Sequence, residues 1–536
     1  MVRKSLLKCT GFLLTAVLTA SMLTACGSNT DSGSTTATDN GTTASNDTDN
    51  GETQEINVMI WDRGSSAPGT SNEENEMTKW IQEQVLEACN VKVNFVAVPR
   101  SGSDDKLNVM MAGGNAPDIV FSYNQSIFSN FASNGGLADL TDAYAKYGTD
   151  IQTNIGNIQY MGVVDNKQYA IMKRRGQQVP RHVSYIRKDW LDALGLSIPK
   201  TKEELFTVLE AFKEKNPGNV SDVVPWAMGG STDTEKFYLS FVGSYVAELS
   251  EEDAYVYAEN YKVFADGAID GLKKLNELYN KGLITQDFAT DTTTDIFKQD
   301  VSAGNAGFIL ADATEIFDLI PTLQSSVDGA EFVPLNCFDT PEGEYINPTE
   351  PLYGMYVMVP KTSESKADAC VKYLNWLSDA TNAENVMYTP EHTLDSAGVP
   401  VSMLQDELNE KGYPGNIADY NIVNDHFSFV DNKDSVVDQW ANTYNFLSTD
   451  WFNSLYTVMN TNQYLYPTYP VVLESETTYG AKLSTMAIEY AYKLISCKSD
   501  EFDSLQQSEY KKLVTAGLET VLNDRRAYYE QNVAKK

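Results

Sequence analysis

The chain has 536 residues, 42% hydrophobic and 11% aromatic, with a formal net charge of −34 and three histidines. Acidity on that scale repels nucleic acid and anionic membrane surfaces, so neither is an expected partner. Beyond residue 26 the cysteines (Cys89, Cys337, Cys370, Cys497) are scattered without a C-x-x-C, and His182, His392 and His426 lie far apart. No metal or other cofactor is expected, and whether any two of those cysteines pair is open.

The first element is MVRKSLLKCTGFLLTAVLTASMLTAC at 1–26. Arg3, Lys4 and Lys8 precede a short apolar run that ends in small residues, the pattern of a secretory signal. The run is too short for a resting transmembrane helix, which needs about 20 apolar residues. LTAC resembles the bacterial lipobox, which implies a signal peptide at 1–25 and lipid on the sulfur of Cys26. The mature protein is then expected at the extracellular face of a bacterial cell membrane, tethered by that lipid.

Residues 26–54 form the lipidated cysteine and a linker without aromatic, large aliphatic or basic side chains. Such a stretch cannot bury enough apolar surface to offset its ordering entropy, so disorder is expected. A coil of that length spans roughly 25–35 Å, enough to clear lipid head groups. DTDNGE at 47–52 lacks the spacing of a calcium loop.

The folded part opens as alternating strand and helix. Ile56, Val58 and Ile60 alternate; Met77, Ile81, Val85 and Ala88 follow helical spacing; Val91, Val93, Phe95 and Ala97 alternate again, up to Pro99. Leu107, Val109, Met110 and Met111 indicate a second helix ended by Gly113-Gly114, and Ile119 to Phe121 a third strand. This order predicts a parallel sheet with helices on both faces, and ligands bind beyond the carboxyl ends of such strands. Those ends carry Trp61, Asp62 and Arg63, then Tyr123 and Asn124. Farther on, Thr201 and Glu204 form a capping box for a helix whose face is Leu205, Val208, Leu209 and Phe212.

Five stretches resemble family 1 extracellular solute-binding proteins, the lipoprotein receptors of carbohydrate ABC importers. They are GNAPDIV at 114–120, DNKQYAI at 165–171, YIRKDWLDALGLSIPKTKEEL at 185–205, GNAGFILADATEIF at 304–317 and YGMYVMVPKTSESKADACVKYLNWLSD at 353–379. The length and tyrosine-rich last third resemble the long oligosaccharide or aldouronate subgroup. The resemblance implies a two-lobed, class II periplasmic-binding-protein-like α/β fold with hinge strands crossing between lobes. Lobe 1 is expected at 55–170 and 338–385, lobe 2 at 171–337 and 386–536. It further implies an oligosaccharide ligand, ABC permease subunits as partners, a monomer and no catalysis. KNPGNVSDVVPW at 215–226 lacks the calcium-loop spacing of many members.

A sugar cleft needs aromatic platforms and planar polar side chains. Trp61, Tyr123, Trp226 and Tyr353 stand at predicted strand or turn ends, and the resemblance places a stacking aromatic at Trp226. Asp312 follows the strand GFILA, where a hydroxyl acceptor is useful; Asp62, Arg63 and Asn124 complete the strand-end set. Trp440, Trp451 and YLYPTYP at 464–470 read as core or surface. The run KRRGQQVPRHVSYIRK at 173–188, with Arg174 among six cations and no acid, begins at the expected crossing. Arginine forks suit carboxylates, so a uronic-acid-bearing ligand fits, as does simple neutralisation of neighbouring surface acids. A peptide receptor on the same scaffold and a secreted glycoside hydrolase are the alternatives. The hydrolase has no motif behind it, since paired carboxylates can always be nominated among 74 acids.

Overall fold

The strand Gln54–Asp62 pairs in parallel with Val91–Pro99, Ile56 opposite Val93 and Ile60 opposite Ala97. Its other edge meets Ile119, whose backbone exchanges hydrogen bonds of 2.9 and 3.0 Å with Met59 and Asn57. This computed structural model describes residues 52–535 except 65, 176–179, 231–234, 314, 350, 397 and 426–432. Cys26 and nearly all of the predicted linker lie outside the described residues, and Gln54 already belongs to the first strand.

The helix Glu76–Cys89 between the two parallel strands starts at Asn75. That side chain accepts from Thr78 N while Thr78 Oγ1 accepts from Asn75 N, a reciprocal cap. Val120–Ser122 then pairs antiparallel with Tyr353–Met358, which pairs antiparallel with Ala170–Arg174. The parallel β-α-β-α-β start is as expected; the strand returning at residue 353 makes the sheet mixed.

The second sheet runs in the order Phe332–Leu335, His182–Arg187, Ala306–Asp312, Val224–Ala227, the last two parallel. Its strands alternate between two cores. Ile186, Trp226, Phe308 and Leu310 face one, with Leu483, Tyr490, Leu513 and Leu522 from the C-terminal helices; Val183, Tyr185, Ile309 and Ala311 face the other, with Val437, Trp451 and Phe452. The helix Lys202–Lys215 starts at Thr201, whose hydroxyl accepts from Glu204 N at 3.2 Å. Glu204 bonds Lys200 N rather than Thr201 N, so only half of the predicted capping box forms.

Val386, Leu408, Tyr420 and Val423 belong to the first core, together with Ile56, Ile171 and Leu374. That corrects the boundary placed at 386. The aromatic and aliphatic positions there fill the first lobe, and the chain passes to the second between Val423 and Val437. The other passages lie after Arg174 and between Leu335 and Tyr353. Thr53–Lys536 forms one compact unit. Cys89, Cys337, Cys370 and Cys497 are free thiols, Cys370 fully buried in the first core. Among the described residues no helix is long and apolar enough to cross a membrane.

Candidate functional site

The two lobes enclose a cleft of about 660 Å³, within the roughly 300–1,000 Å³ typical of small-ligand sites. Arg100, Tyr123, Gln125 and Tyr353 line it from the first lobe, and Arg181, His182, Ser240, Glu259 and Asn260 from the second. Arg175, Thr349, Tyr466 and Thr468 come from the connecting segments and the tail that crosses them. That tail is anchored where Gln463–Leu465 pairs in parallel with Asn347–Thr349.

One wall is a column of rings and guanidinium groups. Tyr123 lies on Trp61 with centroids 5.6 Å apart and planes at 27°. The Arg100 guanidinium sits 4.2 Å from the Trp61 centroid and 5.8 Å from that of Tyr123, and Arg175 sits 5.6 Å from Tyr123. Tyr123 is 43% exposed and Trp61 only 7%, so Tyr123 is the face a ligand meets and Trp61 its support. The strand bearing Tyr353 is bulged between Tyr353 and Tyr356, and Gly354 falls inside the bulge. A Cβ there would lie 3.3 Å from Tyr123 Cε1 and 3.4 Å from Arg175 Cγ, so the missing side chain lets both groups close on the strand.

Burial lowers the Arg175 pKa from its ordinary value, and the nearby charge of Arg181 adds to that. An anion arriving beside them relieves both costs. Arg181 Nε donates to Asp312 Oδ2 at 3.1 Å, and Arg100 Nε is buried without a hydrogen-bond partner. Burial pushes the Tyr353 hydroxyl up to about 12, so it remains a donor at any physiological pH.

Of the residues nominated from sequence, Tyr123 and Tyr353 line the cleft. Trp61 stands directly behind Tyr123. Asp312 stands behind Arg181 and holds it, so it reaches the cleft only through that cation. Arg63 turns away into a two-pronged bond with Asp419, at 2.5 and 3.1 Å. Asp62 accepts from Gly64 N and Asn72 Nδ2, and Asn124 caps the helix Gln125–Ser133 through Ser126 N and Ile127 N. Arg174 lies outside the lining, its Nη1 donating to Asn154 O at 3.4 Å. Trp226 is 1% exposed among Phe241, Phe308 and Phe338, with centroids 5.1 to 6.1 Å away. Hydrogen bonds from Trp226 N to Leu283 O and from Thr285 N to Trp226 O hold its strand on that side too, which turns the indole into the core. It is no platform.

The basic run divides by the partners each cation meets. Lys173 is buried against Asn421 O and Asp425, and Arg174 faces away. Arg175 and Arg181 enter the cleft, while Arg187 is buried against Asp189 and Gly304 O. Arg100 was absent from the sequence set although it directly follows the second strand, where the strand-end rule applied to the first and third strands would have found it. Tyr466 and Thr468 lie in the tyrosine-rich run read as core or surface. Glu259, Asn260 and Ser240 had no sequence signal.

Two α/β lobes around one ligand-sized cleft define a solute-binding protein of the two-lobed type. Residues 70–384, more than half of the chain, match the family described as bacterial extracellular solute-binding protein, and the chain belongs to that family. Lipoprotein LipO of Bacillus subtilis is 27% identical over 312 residues, 56% of this chain and 59% of LipO. The polygalacturonan/rhamnogalacturonan-binding protein YtcQ of the same species is 26% identical over 245 residues, 44% of this chain and 47% of YtcQ. This chain therefore spans about half of those relatives' length. The crystal structure of alginate-binding protein AlgQ2 without calcium ion shares the fold, with a TM-score of 0.65 at 17% identity over 90% of this chain and 98% of that one.

Proposed function

We propose that this protein is the extracellular receptor of an ABC importer and captures a short, uronic-acid-bearing oligosaccharide between its lobes. The observation that carries the reading is the convergence of Arg100, Arg175 and Arg181 on the Tyr123–Tyr353 wall of a chain with net charge −34. Arginine forks pair with carboxylates in two-pronged fashion, and Tyr123 offers a ring face to a sugar's C–H surface. The name of the relative YtcQ, a polygalacturonan/rhamnogalacturonan-binding protein, supports the same ligand class. A hydrolase reading fares worse. Among the described residues lining the cleft Glu259 is the only carboxylate, whereas glycoside hydrolysis uses two. Isothermal titration of the wild type and Arg100→Gln with an acidic trisaccharide and its neutral counterpart tests the reading. A charged hydrogen bond contributes about 1.5–3 kcal/mol, so Arg100→Gln should cost the acidic sugar about tenfold to hundredfold and the neutral sugar little. Equal losses on both sugars refute it.

The receptor works as a monomer tethered through lipid on Cys26, handing ligand to its permease as the lobes open. The LTAC ending and the linker after it, without aromatic, large aliphatic or basic residues, support this, as does the name of the relative LipO. Cys26→Ala should release the protein to the medium or leave it unprocessed; unchanged membrane retention refutes the anchor.

A further inference from the structure

We infer that Tyr469 is a clasp in the wall of the cleft: the first lobe holds its carbonyl and the second its hydroxyl and ring, so the lobes part only when that grip is broken. Such a clasp acts on opening whatever ligand the cleft takes.

The first-lobe grip comes from Gln125. Its Nε2 donates to Tyr469 O at 2.8 Å, and since a carbonyl only accepts, one orientation of the amide serves. Gln125 opens the helix Gln125–Ser133, whose Phe128 and Ala132 lie in the first core. The Asn124 cap fixes the backbone on which that donor stands. Gln125 lines the cleft, and so does Thr468, the residue before Tyr469.

The second-lobe grip is broader. Tyr469 Oη donates to Tyr255 O at 2.6 Å. The ring centroids of Tyr255 and Tyr528 lie 5.6 and 5.0 Å from its own, and the Arg525 guanidinium lies 5.2 Å from it. Tyr255 belongs to the helix Glu251–Val256, and Tyr528 and Arg525 to the helix Leu518–Asn532; Val256, Leu518 and Leu522 anchor the two in the second core. Arg525 binds these pieces to one another. Its Nη1 donates to Val256 O and Ala258 O at 3.3 and 3.2 Å, in the turn before Glu259, and its Nε donates to Glu476 at 2.6 Å.

Between the two grips the chain has little slack. Gln463–Leu465 is paired with Asn347–Thr349, and Pro467 and Pro470 fix φ on either side of Thr468 and Tyr469. Asn442 Nδ2 to Asp395 Oδ2, at 2.8 Å, and Thr443 Oγ1 to Ser402 Oγ, at 3.3 Å, also join the lobes. Both stand on the helix Lys433–Thr443, which follows the third crossing, and outside the cleft lining. Gln125 and Tyr469 stand in the cleft wall on different lobes, so a hinge rotation that opens the cleft separates them.

The test is double electron–electron resonance on the protein without added ligand. Nitroxides go on ketone amino acids at the exposed positions 106 and 324, one on each lobe, which leaves the native thiols untouched. The wild type should show mainly the short interlobe distance of the structure. Gln125→Met keeps the length and removes the donor; it should lower the ratio of short to long distances about threefold to tenfold, the worth of one neutral hydrogen bond. Tyr469→Phe, which loses only the bond to Tyr255, should shift the ratio the same way by less, and Tyr469→Ala by at least as much as Gln125→Met. The two grips lie in series, so adding Gln125→Met to Tyr469→Ala should change nothing further. If Tyr469→Ala fails to fold, the double variant is made with Tyr469→Phe, and the combined shift should fall short of the two single shifts multiplied. A wild type at the long distance, an unchanged ratio in Gln125→Met, or a full second shift in the double variant overturns the clasp.

Discussion

Tyr123 rests on Trp61 at a centroid distance of 5.6 Å, the exposed ring backed by a buried one. The two therefore differ in what their loss removes. Tyr123→Ala should weaken sugar binding by about 2 kcal/mol, a factor of roughly 30, with the ligand-free melting temperature nearly unchanged. Trp61→Ala should cost about 3–5 kcal/mol of stability as well. Titration and urea melts of both variants check this; equal destabilisation by the two would mean that Tyr123 is core.

Trp226→Ala should cost about 3–5 kcal/mol of stability, because the indole fills the space between Phe241, Phe308 and Phe338. Binding measured on the folded fraction should keep wild-type affinity. A specific affinity loss with an unchanged melt would return Trp226 to the ligand.

Gly354→Ala sets a methyl group against Tyr123 and Arg175. Overpacking of this kind costs about 1–3 kcal/mol. The groups that yield are the ones facing ligand, so affinity should fall about tenfold while the melt shifts by less. A full-sized loss of stability with affinity intact would place the strain in the sheet instead.

Lys262 is buried, with the rings of Tyr464 and Tyr466 5.2 and 5.8 Å from its ammonium. Burial pushes its pKa down to about 8, from an ordinary 10.5. Between those values the unfolded chain binds the proton more readily than the fold, so this residue's contribution to stability rises with pH across that window. Below pH 8 the penalty of carrying the charge inside is fully present. Lys262→Met should therefore be more stable than the wild type at pH 7, by up to about 3 kcal/mol, with the gap shrinking toward pH 10. Urea melts at the two pH values measure it; a gap independent of pH would show that the ammonium is hydrated.

The first lobe was the more legible part of the fold. Ile56, Val58 and Ile60 share one sheet face, and Met77, Ile81 and Val85 one buried helix face, so both periods could be read. The inserted strand Tyr353–Met358 could be recognised as returning, but its direction could not be read, since antiparallel and parallel strands share one period. Position 226 misled because tryptophan at a strand end serves core and cleft equally well in sequence. Its fate was fixed by Phe241, Phe308 and Phe338, 15 to 112 residues away. In the basic run Lys173 was drawn into the interior by Asn421 O and Asp425, while Arg175, just past the end of the strand, stayed at the cleft, which a count of charges could not show. Arg63 was drawn off by Asp419, 356 residues later, and the turn before Glu259 is bonded at Val256 O and Ala258 O by Arg525 in the helix Leu518–Asn532. Long-range partners of this kind leave no local trace.

The bonds from Arg525 to Val256 O and Ala258 O set an order of events. A chain threaded across a membrane from its N-terminus delivers Arg100, Tyr123 and Arg175 long before the helix Leu518–Asn532 arrives. Until that helix docks, the turn before Glu259 lacks its two bonds to Arg525, and the second core lacks Leu518, Val521 and Leu522. A protease that clipped the chain after residue 500 would remove Leu513, Leu518 and Leu522 from the second core together with Arg525, so the second lobe's side of the cleft would lose its support while Arg100 and Tyr123 on the first lobe kept theirs.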